Sequence, residues 1–467
     1  MYRTLLAAAV LACSGATVSA ETITVCSDGC DYTSINAAIG AANDGDVIQL
    51  AAETYFEGEQ IDTLGKAITL RGVLDKTGEP ASVLDGAGTH RVLICQGDET
   101  VSTVFENLLI QSGSSLSGGG MYNDSSSPTL SDCTFTGNSS AVWGGGMYND
   151  NGSSPTLANC VFTGNSAYHR GGGMYNDNGS SPTLTNCAFT SNSANAPALS
   201  GLGGGLCNAS GSSPALVNCV FGGNSATEGG GIFNDRSNPT LVGCAFTGNS
   251  ASNNGGGMRN ASGSPTLTNC AFTNNSSDFG GGMLNLSSSP ILVGCSFTGN
   301  SAELTGGGMY NQEASSPTLT ACAFTGNSAG WVGGMYNNIG SSPTLADCTF
   351  TGNAAVEFFG GIYNNNGSSS TLTDCTLCEN VPDQIDGSWT DAGDNCVATS
   401  CDDCDLPSDA CPTDLDQNGI TDGGDLGAFF VHWGDCQVED CPADFNDDEV
   451  VDGIDLGILF SAWGPCQ

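Results

Sequence analysis

The chain has 467 residues, with 49 Asp and Glu against 8 Lys and Arg, and a formal net charge of −41. This balance excludes nucleic-acid binding, because affinity for a phosphate backbone comes from clustered cations and no Lys or Arg follows Arg259. Anionic membranes are poor partners for the same reason, whereas divalent cations are attracted.

Residues 1–20 read as a secretory signal. Arg3 supplies the charge, residues 5–12 the apolar core, and Val18-Ser-Ala20 a small-residue cleavage site before Glu21. A second reading, Val10-Leu-Ala-Cys13, would place a lipid on Cys13. The apolar core is too short to span a bilayer, and no other run is long enough. Secretion places the cysteines beyond residue 20 in an oxidising compartment, at the cell surface or beyond it.

Residues 21–117 read as a cap and the first irregular coils of a solenoid. Ile35, Ala38, Ile39 and Ala42 follow a helical period, with Ser34 as N-cap and Asn43-Asp-Gly45 as stop. The first strand is expected at 46–50, and early coils at 67–70, 82–84 and 108–110. A helix here covers an otherwise open β-helix end. Cys26 and Cys30 are close enough to bridge locally.

Residues 118–390 repeat one motif. Cysteine recurs at 133, 160, 187, 219, 244, 270, 295, 322, 348 and 375, at intervals of 25 to 32 residues. A clean copy runs Pro155-Thr-Leu157-Ala-Asn-Cys160-Val-Phe162-Thr-Gly-Asn165, then a variable patch, then Gly171-Gly-Gly-Met174-Tyr-Asn176. A fixed period with short apolar runs and Gly-rich breaks gives one coil of short strands per repeat. The expected fold is an all-β solenoid, a right-handed parallel β-helix, in which like stacks on like about 4.8 Å apart. Leu157 and Cys160 have opposite strand parity, so a bend is expected between them. The Asn after each Phe (Asn138 through Asn380) is expected to form a ladder at a turn. The repeat cysteines are expected as a buried column of mostly reduced thiols. The variable patches carry Trp143, Tyr168-His-Arg170, Phe279, Trp331 and Phe358-Phe359 along one edge. They suit either sugar rings and partner proteins or a covering role over the turn.

Phe162-Thr-Gly-Asn165 followed by Gly171-Gly-Gly-Met-Tyr-Asn176 resembles the paired motifs of polymorphic outer-membrane protein repeats, which implies a secreted β-helix of adhesin type. That family ends in a membrane β-barrel, and this chain departs from it there. The helix-capped start resembles the N-terminus of pectin-lyase-like β-helices.

Residues 391–410 form a Cys- and Asp-rich linker, and Cys378 of the closing coil with Cys396, Cys401 and Cys404 are expected as disulfide staples rather than a zinc site. Residues 411–467 are a duplication with a step of 30. Each half offers a twelve-residue loop with oxygen ligands at positions 1, 3, 5, 9 and 12 and a carbonyl at 7. The first set is Asp414, Asp416, Asn418, Ile420, Asp422 and Asp425; the second is Asp444, Asn446, Asp448, Val450, Asp452 and Asp455. Ca²⁺ is the expected cofactor, and apolar helices are expected at 426–433 and 456–463. Two such loops, each running into a helix, resemble a type I dockerin, which implies calcium-dependent docking to a cohesin-like or other surface protein. Glu449 stands where the second loop's sharp turn favours Gly, and Gly423-Gly424 and Gly453-Ile454 replace the usual hydroxyl recognition pair.

Taken from residues alone, the chain is expected to be a non-catalytic binding or adhesive rod tethered by its last module, with polysaccharide as a candidate ligand on the variable edge. No constellation of carboxylates or bases breaks the repeat pattern as a grafted active site would. The alternative is a dockerin-bearing polysaccharide lyase or glycoside hydrolase.

Overall fold

The computed structural model describes residues 20–196 and 201–404, and further on 413, 415, 420–421, 423–435, 443, 445, 450–451, 453–461 and 464–465. The chain divides into two compact units, Met1–Thr399 and Ser400–Gln467. The residues that carry the secretory reading lie outside those described, apart from Ala20.

The first unit is a parallel β-helix. In the coil of Cys160 the strands are Thr156–Ala158, Val161–Thr163, Ser166–Ala167 and Met174–Asn176. Like pairs with like in parallel: Leu157 with Leu184, Phe162 with Phe189, Met174 with Leu206. Stacking produces sheets of 15, 14, 10 and 13 strands in that order around the coil. Asn159 takes φ +54° between the first two strands. It makes the bend that lets Leu157 and Cys160 both turn inward, a conformation Asn tolerates.

Leu157, Cys160, Phe162 and Met174 are fully buried, as are their counterparts along the stack. From Phe135 to Phe350 the Phe rings lie 4.4 to 5.0 Å apart. The Asn165 side-chain amide donates to Asn192 Oδ1 at 3.0 Å and to the Phe135 carbonyl at 2.9 Å. A second Asn ladder runs inside the Met strands, where Asn149 Nδ2 donates to Asn176 Oδ1 at 2.8 Å. Buried amides are tolerated here because each rung satisfies the next. Only the ladder's ends, Asn123 Oδ1 and Asn364 Nδ2, lack a partner among the described residues. The ten repeat cysteines are free and buried, and Cys160 Sγ donates to the Ala158 carbonyl at 3.4 Å. They pack as small apolar groups.

At the N-terminal end the helix Ile35–Ala41 is capped by Ser34, whose hydroxyl accepts from the Ala37 amide at 3.2 Å. Several short strands escaped the sequence reading, among them Thr54–Tyr55, Leu93–Cys95 and Thr22–Val25, which precedes the helix and pairs in parallel with Val47–Leu50. Cys26 and Cys30 form a disulfide, and Cys378, Cys396, Cys401 and Cys404 are disulfide-bonded. Trp389 packs on the core at the far end of the stack.

The second unit repeats its core with the step of the sequence. Phe429 and Leu459, Leu426 and Leu456, and Leu415 and Phe445 belong to one cluster. Its helices are Gly423–Val431 and Gly453–Ser461. Ile420–Thr421 pairs antiparallel with Gly464–Pro465, and Gly434–Asp435 with Val450–Val451. Both helices start three residues earlier than the apolar pattern indicated. Asp425 and Asp455 therefore sit in the first turn, where a carboxylate complements the helix dipole.

Candidate functional site

In each Met strand, Met and Asn point inward and the residue between them faces out. In register this outward column reads Tyr122, Tyr148, Tyr175, Cys207, Phe233, Arg259, Leu284, Tyr310, Tyr336 and Tyr363. Tyr148 and Tyr175 stack at 5.2 Å, Tyr310 and Tyr336 at 5.1 Å. Although it faces outward, Tyr175 is 1 % exposed. The variable segments fold back over the column, so their covering role is real. Gly171 and Gly173 make that return possible. Gly171 has φ +65°, and a Cβ on Gly173 would lie 2.5 Å from the Gly205 carbonyl oxygen and 2.8 Å from the Phe189 ring.

The covering aromatics also stay half open to solvent. Trp143 lies 5.9 Å from Tyr148 and 6.2 Å from Tyr175, yet is 38 % exposed. Trp331 meets Phe358 edge-on at 5.9 Å, and both remain exposed. Each group borders a cleft. The first, of about 480 Å³, is lined by Val142, Trp143, His169, Arg170, Tyr175, Asp177 and Leu202. The second, of about 170 Å³, is lined by Trp331, Val332, Tyr336, Phe358, Tyr363 and Asn365.

Charge distinguishes the first cleft. The only cations beyond residue 90 are Arg91, Arg170, Arg236 and Arg259. Arg91 lies over the Tyr122 ring, and Arg236 pairs with Asp235 at 3.2 Å. Arg259 pairs with Glu228 and lies over Phe233. Arg170 is half-buried and lies over the Tyr175 ring at 5.9 Å, and like Arg91 it has no ion pair among the described residues. It donates to Tyr175 Oη at 3.2 Å. Burial raises the Tyr175 phenol well above its ordinary value, against the pull of Arg170, so it stays protonated. The cleft thus combines a cation awaiting an anion, a phenol proton donor, an imidazole, the Asp177 carboxylate and an indole platform.

Asp124, Asp150, Asp177 and Asp235 follow the Met strands at one slot, and Asn178 Nδ2 donates to Asp150 Oδ1 at 2.7 Å. Of the four, Asp177 alone lines the cleft. The sequence marked Trp143, His169 and Arg170 as a variable patch but did not join them to Tyr175 and Asp177. The available signal was that His169-Arg170 is the only His-Arg pair inside the repeats.

Among the calcium-loop residues, Asp414, Asp416, Asn418, Asp422, Asp444, Asn446, Asp448 and Asp452 lie outside those described. Ile420 and Val450 sit in the two short antiparallel ladders. Asp425 and Asp455 are completely buried, and the Phe445 amide donates to Asp455 Oδ1 at 2.8 Å.

Residues 86–246 and 225–377 match the model of the right handed beta helix region family. The chain belongs to that family, and the hand of the solenoid is the expected one. No curated protein matches the chain. Among solved structures, tailspike protein 3 of bacteriophage CBA120 is 12 % identical with a TM-score of 0.43, over 78 % of this chain and 58 % of the tailspike. A tailspike of Acinetobacter baumannii bacteriophage Fri1, a capsular polysaccharide depolymerase, is 14 % identical with a TM-score of 0.32, over 74 % of this chain and 57 % of that one. A mannuronic acid specific polysaccharide family 6 lyase from human gut microbiota is 12 % identical with a TM-score of 0.35, over 82 % and 83 %. The chain thus spans less than two thirds of either tailspike, and these likenesses show fold alone. They correct one expectation, that the chain is not an enzyme: structures of this fold similar to it include a depolymerase and a lyase.

Proposed function

We propose that the first unit binds acidic polysaccharide outside the cell at the Arg170 cleft and cleaves it by elimination. The observation that carries this reading is a half-buried guanidinium without an ion pair, in a chain of net charge −41. Long-range repulsion of an anionic polymer is screened beyond roughly 8–10 Å at physiological salt, so the local cation decides what enters. A uronate carboxylate matches the planar fork of Arg170, and Trp143 offers its face to the sugar's C–H surface.

Pairing with Arg170 withdraws charge from the uronate carboxylate and acidifies the proton on C5. In this reading His169, which lines the cleft, takes that proton, and the hydroxyl of the largely buried Tyr175 hands one to the departing O4. The C5–H and C4–O4 bonds break, a C4=C5 double bond forms, and the leaving oxygen departs protonated. Secretion is the reading of residues 1–20, and it agrees with the Cys26–Cys30 disulfide.

Wild-type protein is expected to generate ultraviolet-absorbing unsaturated ends on a uronate polymer, and Arg170→Gln is expected to lower kcat/KM at least about tenfold. A wild type that neither binds nor cleaves any uronate polymer ends the proposal; binding without new ends leaves the adhesive role alone.

The second unit we read as a calcium-dependent, dockerin-like tether to another surface protein. Asp425 and Asp455, buried at position 12 of each loop, support a pair of sites, and the remaining ligands are the loop residues named above. Bound Ca²⁺ would neutralise the loop carboxylates and hold the fold. Exposed Phe430, Trp433, Ile454 and Phe460 supply an apolar surface suited to a protein partner.

A further inference from the structure

We propose that the Trp331 cleft is a distal holding site for the same polysaccharide chain, which passes over the variable segments that cover the outward column, from Arg170 to Trp331. This rests on the reading of the Arg170 cleft given above.

The two clefts are built on one column. Tyr175 of the first and Tyr336 of the second are linked rung by rung through Cys207, Phe233, Arg259, Leu284 and Tyr310. Six steps of about 4.8 Å place them about 29 Å apart on the same sheet face. Strict register keeps both clefts on the same side of the solenoid, so an extended polymer held at one can cross the covering segments to the other.

The chemistry of the second cleft differs from the first in the way a holding site requires. It has no charged lining residue; its walls are Trp331, Phe358, Tyr336 and Tyr363 with one amide, Asn365. Asn365 Nδ2 donates to Tyr336 Oη at 3.2 Å, and its Oδ1, which accepts from the Asn366 amide at 2.8 Å, keeps one lone pair for a hydroxyl. Aromatic faces with an amide at the edge fit a pyranose, which is apolar on its C–H face and polar around its rim. A glycan already anchored on Arg170 brings its uncharged ring faces, and its carboxylates remain in water.

The test compares wild type, Trp331→Ala and Arg170→Gln on polygalacturonate and polymannuronate. Each substrate is supplied as long polymer and as oligosaccharides too short to reach both clefts. Calorimetric affinity and release of unsaturated ends are measured together. Trp331→Ala is expected to weaken long-polymer binding about tenfold and raise its KM, with kcat and all short-substrate values unchanged. Arg170→Gln is expected to impair both lengths. Trp331→Ala acting equally on long and short substrates, or on neither, overturns the distal site while the Arg170 reading stands. No binding of either polymer by wild type overturns both. Phe358→Ala, at a second exposed position, repeats the comparison if the Trp331 variant folds poorly.

Discussion

Glu99 is a carboxylate buried to 3 % exposure beside the first full coils. It accepts from the hydroxyls of Thr63 at 2.5 Å and Ser126 at 2.8 Å, and from the amides of Gly65 at 2.9 Å and Gly97 at 2.7 Å. Burial raises its pKa, but these donors outweigh burial and the net shift is downward. A lowered folded pKa means that the ionised form contributes stability above the ordinary carboxylate range. That contribution is lost as pH falls through the folded value. Glu99→Gln should cost about 1–3 kcal/mol at neutral pH, because an NH₂ group would face donors that need an acceptor. Denaturant titrations at neutral and acid pH should show the gap between variant and wild type closing on the acid side. A gap that is flat with pH would assign Glu99 a packing role only. Glu99 was invisible in the sequence because it occurs once, outside the repeat period, and its four donors come from three separate segments. The Asn165 ladder was legible because its partners are copies of itself. Arg170 falls between these cases: visible as an exception to the pattern, but readable as a site only once Tyr175 and Asp177 of the following strand stand beside it.

The strands are short, three residues for most of the Leu and Phe positions, so no coil is stable alone and each draws its stability from its neighbours. Phe246 shows how. Its ring lies 4.9 Å from Phe221 and 4.5 Å from Phe272, fully buried, with the planes within 6° of parallel. Phe246→Ala is therefore expected to destabilise the first unit by about 3–5 kcal/mol, since it empties a site lined by rings that cannot collapse inward without breaking register. Chemical denaturation followed by near-ultraviolet circular dichroism reads this directly, and an unchanged midpoint would place the ring outside the load the stack carries. The solenoid, its corner at Asn159 and its Phe and Cys columns could be read from the sequence because each is a period-two choice repeated in every coil. Thr22–Val25 could not: its partner Val47–Leu50 lies across the capping helix, and nothing local marks the pairing. The second Asn ladder also went unseen, because in Gly-Gly-Gly-Met-Tyr-Asn the conspicuous residues are the glycines.

Across the molecule, charge is distributed with a sharp polarity: every Lys and Arg lies at or before Arg259, and the last 208 residues hold none. The second unit nevertheless buries two carboxylates, Asp425 and Asp455, to 0 % exposure. The Phe445 amide donates to Asp455 Oδ1 at 2.8 Å. The proposed tether rests on the two loops themselves, whose oxygen ligands fall at EF-hand spacing, the pattern that takes Ca²⁺. In such a module metal affinity would become folding stability. Calorimetry on the full-length protein is expected to show uptake of two ions. Chelator should lower the melting transition of the second unit and leave that of the β-helix in place. Asp425→Ala should remove the position-12 ligand of the first loop and with it one ion. The first loop is expected to bind more tightly, since Gly419 permits its turn and Glu449 opposes the second. Uptake of one ion would mean that Glu449 has silenced its loop. Uptake of none, with chelator leaving both transitions unchanged, would remove calcium from the account.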